Sequence, residues 1–158
     1  MTEAQLSNAM DAYGSTVYRL ALTRMQNIAD AEDVYQEVFL RLWKQAAEDW
    51  DGDRAKAWLI RTTLNRCADL HRFRLRRPVL SFAEIPDLAQ PEDESRELWE
   101  AVSRLPEKAR TAVHLYYAEG YSAEEISQLM HIPAATVRTR LHRARKQLKE
   151  LLGGIDDE

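Results

Sequence analysis

Residues 121–152 read YSAEEISQLMHIPAATVRTRLHRARKQLKELL, and this stretch decides the architecture. Ser122 and Glu125 stand in S-x-x-E spacing, a capping box that predicts a helix start by pairing its free N–H groups. Ile126, Leu129 and Met130 follow at helical spacing. His131 and Ile132 read as a turn, and Pro133 stands where a first-turn proline is tolerated in a second helix. A short helix, a tight turn and a longer basic helix form the outline of a helix-turn-helix.

At about 100° per residue, Val137, Leu141, Ala144, Leu148 and Leu151 fall on one side of the second helix. Arg138, Thr139, His142, Arg143, Lys146 and Lys149 fall on the other, with Arg140 and Arg145 on the flanks. A solvated amphipathic face is the plain alternative to a DNA-reading one. Solvated faces usually mix signs for i,i+4 pairing, whereas residues 136–149 contain no acid. That favours a face made for the major groove.

The rest of the chain bounds the answer. Its 158 residues suffice for one domain or two small ones. Five glycines beside abundant Ala, Leu, Glu and Arg favour helix over sheet, so the expected class is all-α. A single cysteine excludes an internal disulfide framework and fits a reducing, cytoplasmic setting. The opening MTEAQLSNAMDAYG is mixed and polar, which predicts no secretory leader, and no apolar run approaches a membrane span.

A net charge of −4 argues, taken alone, against a nucleic-acid binder. The arrangement argues otherwise. Residues 54–77 carry Arg54, Lys56, Arg61, Arg66, Arg72, Arg74, Arg76 and Arg77 against Asp69 alone. Residues 30–53 and 84–100 are acidic, so charge alternates by segment, and local potential rather than the average governs binding.

Residues 2–27 read as helical, with Gly14 as a weak point. DAEDVYQEVFLRLWKQ, residues 30–45, predicts a strong helix with Asp30 as N-cap and Glu32 and Asp33 complementing its dipole. Val34, Val38 and Leu42 can pack inward, leaving Asp33, Gln36, Glu37, Phe39, Leu40 and Trp43 around the remaining surface. Large apolar groups beside acids fit a protein contact; a helix buried on two sides fits the pattern equally.

EDWDGDRAK, residues 48–56, reads as a polar loop around Trp50. WLIRTTLNRCADLHRFRLRRP, residues 58–78, reads as a helix ended by Pro78. It sets Ile60, Leu64, Cys67, Ala68 and His71 on one side and Trp58, Thr62, Asn65, Asp69 and Arg72 on the other, with arginines such as Arg61 and Arg66 flanking. An aromatic, a hydroxyl and an amide framed by cations suit bases held between backbone contacts. Cys67 and His71 have half-site spacing for a metal, yet both lie on the apolar stripe and no second pair is near, so core packing is the better reading. VLSFAEIPDLAQPEDE, residues 79–94, reads as an acidic tether. Residues 95–118 return to helix in two pieces separated near Pro106, with Gly120 as C′ residue before the capped helix. Residues 153–158 read as an acidic tail.

Three of these stretches together resemble the bacterial sigma factor family, in its short two-domain extracytoplasmic-function form. DAEDVYQEVFLRLW resembles the family's polymerase-binding helix, WLIRTTLNRCADLHRFRLRR its −10-element helix, and residues 105–152 its −35-reading domain. The resemblance implies two helical domains, residues 1–78 and 95–152, joined by the acidic linker 79–94. It implies that Asp33, Gln36, Glu37, Phe39 and Trp43 grip the clamp of core RNA polymerase. It implies that Trp50, Trp58, Arg61, Thr62, Asn65 and Arg66 serve the −10 element as strands part, and that Arg138, Thr139, His142, Arg143 and Lys146 read the −35 duplex. Residues 105–117 correspond to a part that also docks on the polymerase flap, and the linker corresponds by position to one that threads toward the RNA exit path. The implied partners are core RNA polymerase, promoter DNA both duplex and single-stranded, and an anti-sigma factor, with no membrane insertion. No cofactor, metal or catalytic residue is implied. The family usually places glycine where this chain has His131. Asp69, in the DNA-facing stripe, either accepts from a cytosine amino group or pairs with Arg66 or Arg72. A stand-alone helix-turn-helix regulator remains the alternative; it has no need of DAEDVYQEVFLRLW.

Overall fold

The computed structural model of the chain describes residues 1–45, 52–73 and 96–153. Among these residues the fold is all-α, and no helix is long and apolar enough to cross a membrane. The chain divides into two compact units, Met1–Ala89 and Gln90–Glu158. The tether 79–94, Trp50 and Pro78 lie outside the described residues.

The first unit is built from α1 (Glu3–Met25), α2 (Ile28–Trp43) and α3 (Gly52–Phe73), each packed on the other two. Thr2 and Gln5 start α1 with a reciprocal capping box. The helix runs unbroken through Gly14, where an added Cβ would lie in tight contact, 3.1 Å, with the Tyr35 hydroxyl. Asn27, not Asp30, caps α2, its side chain accepting from the Asp30 N–H at 3.0 Å. Asp30 is instead buried in the first turn, where the helix N-terminus favours a carboxylate. α3 begins at Gly52, so residues 52–56 are helix and not loop; the Tyr13 hydroxyl donates to the Gly52 carbonyl at 3.1 Å and ties this start to α1.

Val17 and Leu22 of α1, Val34 and Leu42 of α2, and Leu59 and Cys67 of α3 meet in one core. Each large apolar side chain removed from water there contributes about 1.5–3 kcal/mol. Cys67 is wholly buried, as core packing predicts. Because α3 is covered by two helices, its buried arc is wider than a single stripe: it takes in Leu59, Thr62, Thr63 and Leu70 besides Ile60, Leu64 and Cys67.

In the second unit, α4 (Arg96–Val102) and α5 (Glu107–Val113) are separated at Pro106, as expected. The buried Arg110 side chain donates to the Leu105 carbonyl at 2.7 Å, satisfying an acceptor that the break leaves without a helical partner. α5 then widens into a π-helical turn, His114–Ala118, with the Glu119 N–H donating to the His114 carbonyl at 3.2 Å. Gly120 takes the left-handed backbone, φ 78°, that a C′ residue needs. α6 (Ala123–Met130) and α7 (Ala134–Leu151) follow, and α4, α5 and α6 all pack on α7.

Candidate nucleic-acid interface and docking face

The helix-turn-helix forms as its residues dictate. Ser122 accepts from the Glu125 N–H at 3.1 Å, and the Glu125 carboxylate accepts from the Ser122 N–H at 2.9 Å. His131 ends α6 in the left-handed region, φ 58° and ψ 45°. The turn is held by the Ile132 N–H donating to the Ser127 carbonyl at 3.1 Å and by the Ser127 hydroxyl donating to the Ile132 carbonyl at 2.5 Å. Pro133 is the N-cap of α7, one position before the first turn, and its carbonyl accepts from Thr136 and Val137.

α7 is divided as the angular arithmetic requires. Val137, Leu141, Ala144 and Leu148 are buried, while Arg138, Thr139, His142, Arg143 and Lys146 are all exposed. Leu151 departs from this, at 39% exposure, in the last turn of α7. Four cationic or ring-nitrogen side chains and one hydroxyl thus share an open face. The Thr139 hydroxyl donates to the Ala135 carbonyl at 3.0 Å, leaving its oxygen as an acceptor.

Two features of this unit are absent from the linear pattern. Glu124, from the first turn of α6, forms an ion pair with Arg138 of α7, so the open face does carry an acid, delivered from the neighbouring helix. Arg145 donates to the Tyr117 hydroxyl at 2.6 Å and lies 5.8 and 5.7 Å from the Tyr116 and Tyr117 ring centroids. Both tyrosines lie in the π-turn and are exposed. A glutamate two residues after a helix cap was the sequence signal for the first; nothing in the spacing announced the second.

In the first unit, α2 presents a strip of Asp33, Gln36, Glu37, Leu40 and Trp43, the last two 48% and 40% exposed. Phe39 does not belong to it. It is buried against Tyr35, ring centroids 4.8 Å apart, because α2 packs on both α1 and α3 and so buries a wider arc than one stripe. Leu40, placed on the same surface by its spacing, is exposed as expected. Glu37 accepts from Arg41 at 2.9 Å; this bond holds its carboxyl below the usual range, against a smaller effect of burial, and the charges of Arg41, Arg66 and Lys44 add to the pull.

α3 separates the residues expected at the −10 element. Arg61 and Asn65 are exposed on one line with Arg72. Thr62 is buried, its hydroxyl donating to the Trp58 carbonyl at 2.8 Å within the helix, and Trp58 is partly buried against the core. Arg66 is half-buried and paired with Asp33 at 3.8 Å. Asp69 pairs with Arg72 at 3.6 Å, one of the partners expected for it. Among the described residues no cluster of three or more His, Cys, Asp or Glu is arranged to hold a metal.

Two family models match the chain: Sigma-70 region 2 over residues 9–77 and Sigma-70, region 4 over residues 95–148. The ECF RNA polymerase sigma factor SigE of Mycolicibacterium smegmatis is 34% identical over 92% of the chain, which spans 61% of that relative. SigM of Bacillus subtilis is 32% identical over 92% of the chain and is itself spanned to 94%. Among solved structures, the sigma factor RpoE of Bartonella quintana, in complex with the anti-sigma factor NepR, has the same fold at 20% identity, with a TM-score of 0.76 over 97% of this chain and 99% of its own. CnrH, in complex with the cytosolic domain of CnrY, aligns with a TM-score of 0.66 at 26% identity over 98% of this chain and 92% of its own. With region 2 spread over α1 to α3 and region 4 over α4 to α7, the chain belongs to the sigma-70 family of RNA polymerase sigma factors, in its extracytoplasmic-function group.

Proposed function

We propose that this chain is the promoter-specificity subunit of an RNA polymerase, acting in the cytoplasm and performing no catalysis of its own. The polymerase makes the bonds, and this chain selects where. The observation that carries the reading is the open face of α7, where Arg138, Thr139, His142, Arg143 and Lys146 are exposed together on a helix whose opposite face is buried. Each good bidentate arginine contact in the major groove gives about 1–3 kcal/mol of discrimination.

The division of labour follows the two units: residues 1–78 engage the polymerase clamp and the −10 element, 79–94 tether, and 95–152 read the −35 element and dock on the flap. On α2 the docking strip is Asp33, Gln36, Glu37 and Trp43, with Leu40 added. On α3, Arg61 and Asn65 are the exposed −10 contacts, and Trp50 is assigned to the flipped base by the family resemblance. Thr62 and Phe39 support these surfaces from beneath. An anti-sigma partner is proposed by likeness of fold to the Bartonella quintana sigma factor RpoE, which is seen bound to the anti-sigma factor NepR.

Run-off transcription with core polymerase on a randomised promoter library tests the reading. Transcripts should require both the chain and core enzyme, and should reveal paired −35 and −10 motifs. Arg138→Ala with Arg143→Ala should cut transcription from the selected promoter while sparing polymerase binding. A tight footprint by the isolated chain at physiological salt, with dimerisation on a palindromic operator, would instead assign it to the stand-alone regulators.

A further inference from the structure

We propose that Arg66 is a positioning residue for the polymerase-docking face, holding Asp33 in place from beneath, and not a DNA contact. The inference rests on the reading of α2 as the docking helix. Asp33 and Glu37 are four residues apart on one side of α2, where like charges repel and rotate away from each other. Arg66 comes to them from α3, with its Nη2 3.8 Å from an Asp33 carboxylate oxygen. Its charge also acts on Glu37, where it helps to keep that carboxyl ionised. Arg41 holds Glu37 at 2.9 Å from within α2, and Arg66 ties the Asp33 end of the docking strip to the neighbouring helix.

The burial of Arg66 argues the same way. Its side chain is 25% exposed, and its Nε is buried without a hydrogen-bond partner. Swinging outward to a phosphate would give up the pairing with Asp33. Arg61, Asn65 and Arg72, by contrast, are exposed and reach solvent without that cost. The sequence places Arg66 among the flanking cations of the −10 helix, and only the packing of α3 on α2 reassigns it.

The test separates the two roles by reading two quantities in the same variants. Affinity for core polymerase is measured by fluorescence anisotropy for wild type, Arg66→Gln, Arg66→Lys, Asp33→Asn and the Arg66→Gln/Asp33→Asn double variant. The salt dependence of single-stranded −10 oligonucleotide binding is measured for each holoenzyme. The expected result is a loss of core affinity of about 3- to 10-fold in Arg66→Gln, partial recovery in Arg66→Lys, and a double variant no weaker than the weaker single one. The salt slope should stay at the wild-type value. Unchanged core affinity in Arg66→Gln, or a slope reduced by about 0.7, the value for one lost single-strand phosphate contact, overturns the assignment. A wild-type chain that fails to bind core polymerase overturns the docking reading itself, which distinguishes the two failures. Thermal melts of each variant identify any loss that is merely unfolding.

Discussion

Arg138 of α7 is ion-paired with Glu124, fourteen residues earlier on the first helix of the helix-turn-helix. The pair is 58% and 64% exposed, so it contributes little to stability, about 0–1 kcal/mol at most. Its consequence is orientation. A guanidinium held by a carboxylate presents its remaining donors in one direction, and the carboxylate turns phosphates away from that spot. Glu124→Gln should leave the melting temperature nearly unchanged while relaxing preference at the base pair that Arg138 reads and raising affinity for non-promoter DNA. Library sequencing of run-off products checks the first, and holoenzyme titration with mixed-sequence duplex checks the second. A preference profile identical to wild type would remove Glu124 from the reading surface.

His131 sits at φ 58° and ψ 45°, a conformation that costs an L-residue about 1 kcal/mol and costs glycine almost nothing. Histidine tolerates it better than most side chains, and here it is exposed. His131→Gly should therefore raise stability, by less than about 1 kcal/mol because the unfolded chain also gains freedom. Promoter choice should not change, since the turn hydrogen bonds from Ser127 to Ile132 remain available. Urea unfolding of the two proteins reads the first effect and run-off transcription the second. Loss of stability would mean that the His131 side chain makes a contribution exceeding the backbone cost.

What could be read in the chain divides along a physical line. The open face of α7, the Ser122–Glu125 box, the break at Pro106 and the left-handed Gly120 were legible because each depends on residues within a few positions of one another. Phe39 and Thr62, expected on open faces, are buried for the opposite reason. Helical spacing says which residues share a side, but not how many neighbouring helices cover it, and α2 and α3 are each covered by two. The cap of α2 slipped from Asp30 to Asn27 because both residue types make good caps and only the buried course of the chain chooses between them. The pairing of Glu124 with Arg138 is not legible in the spacing because the two stand on different helices across a turn.

Gly14 is the point where α1 and α2 come closest to forbidding a side chain. An added Cβ would lie 3.1 Å from the Tyr35 hydroxyl and 3.7 Å from the ring. Tyr35 cannot retreat freely, since its ring packs between Tyr18 and Phe39 at centroid distances of 5.7 and 4.8 Å. Alanine would gain up to about 1 kcal/mol of helix propensity and lose a similar amount to crowding, so Gly14→Ala should be close to neutral. Gly14→Val adds volume with no such compensation and should destabilise by about 1–3 kcal/mol. Denaturant unfolding followed by circular dichroism reads both. Equal stability for Gly14→Val would mean that α1 can shift away from α2 at little cost.

The same aromatic row predicts how the first unit responds to alkali. Burial raises the Tyr18 hydroxyl pKa from its ordinary 10.0 to about 12, and the charge and hydrogen-bond acceptance of Glu32 add to the shift. Tyr35 is raised as well, by burial and then by Asp11, so the two act in the same direction. The folded state holds the neutral phenol more tightly than the unfolded chain does. Between pH 10 and pH about 12 the unfolded state therefore binds fewer protons, and stability must fall as pH rises. The contribution is complete below pH 10 and is lost progressively as pH rises through the folded-state value. Tyr18→Phe should flatten that fall. It should cost little near neutrality, because the hydrogen bond to Glu32 is long, at 3.5 Å. Urea midpoints measured on either side of pH 10 give the comparison, with wild type losing more than the variant. An alkaline loss of equal size in both proteins would assign the effect to Tyr35 instead.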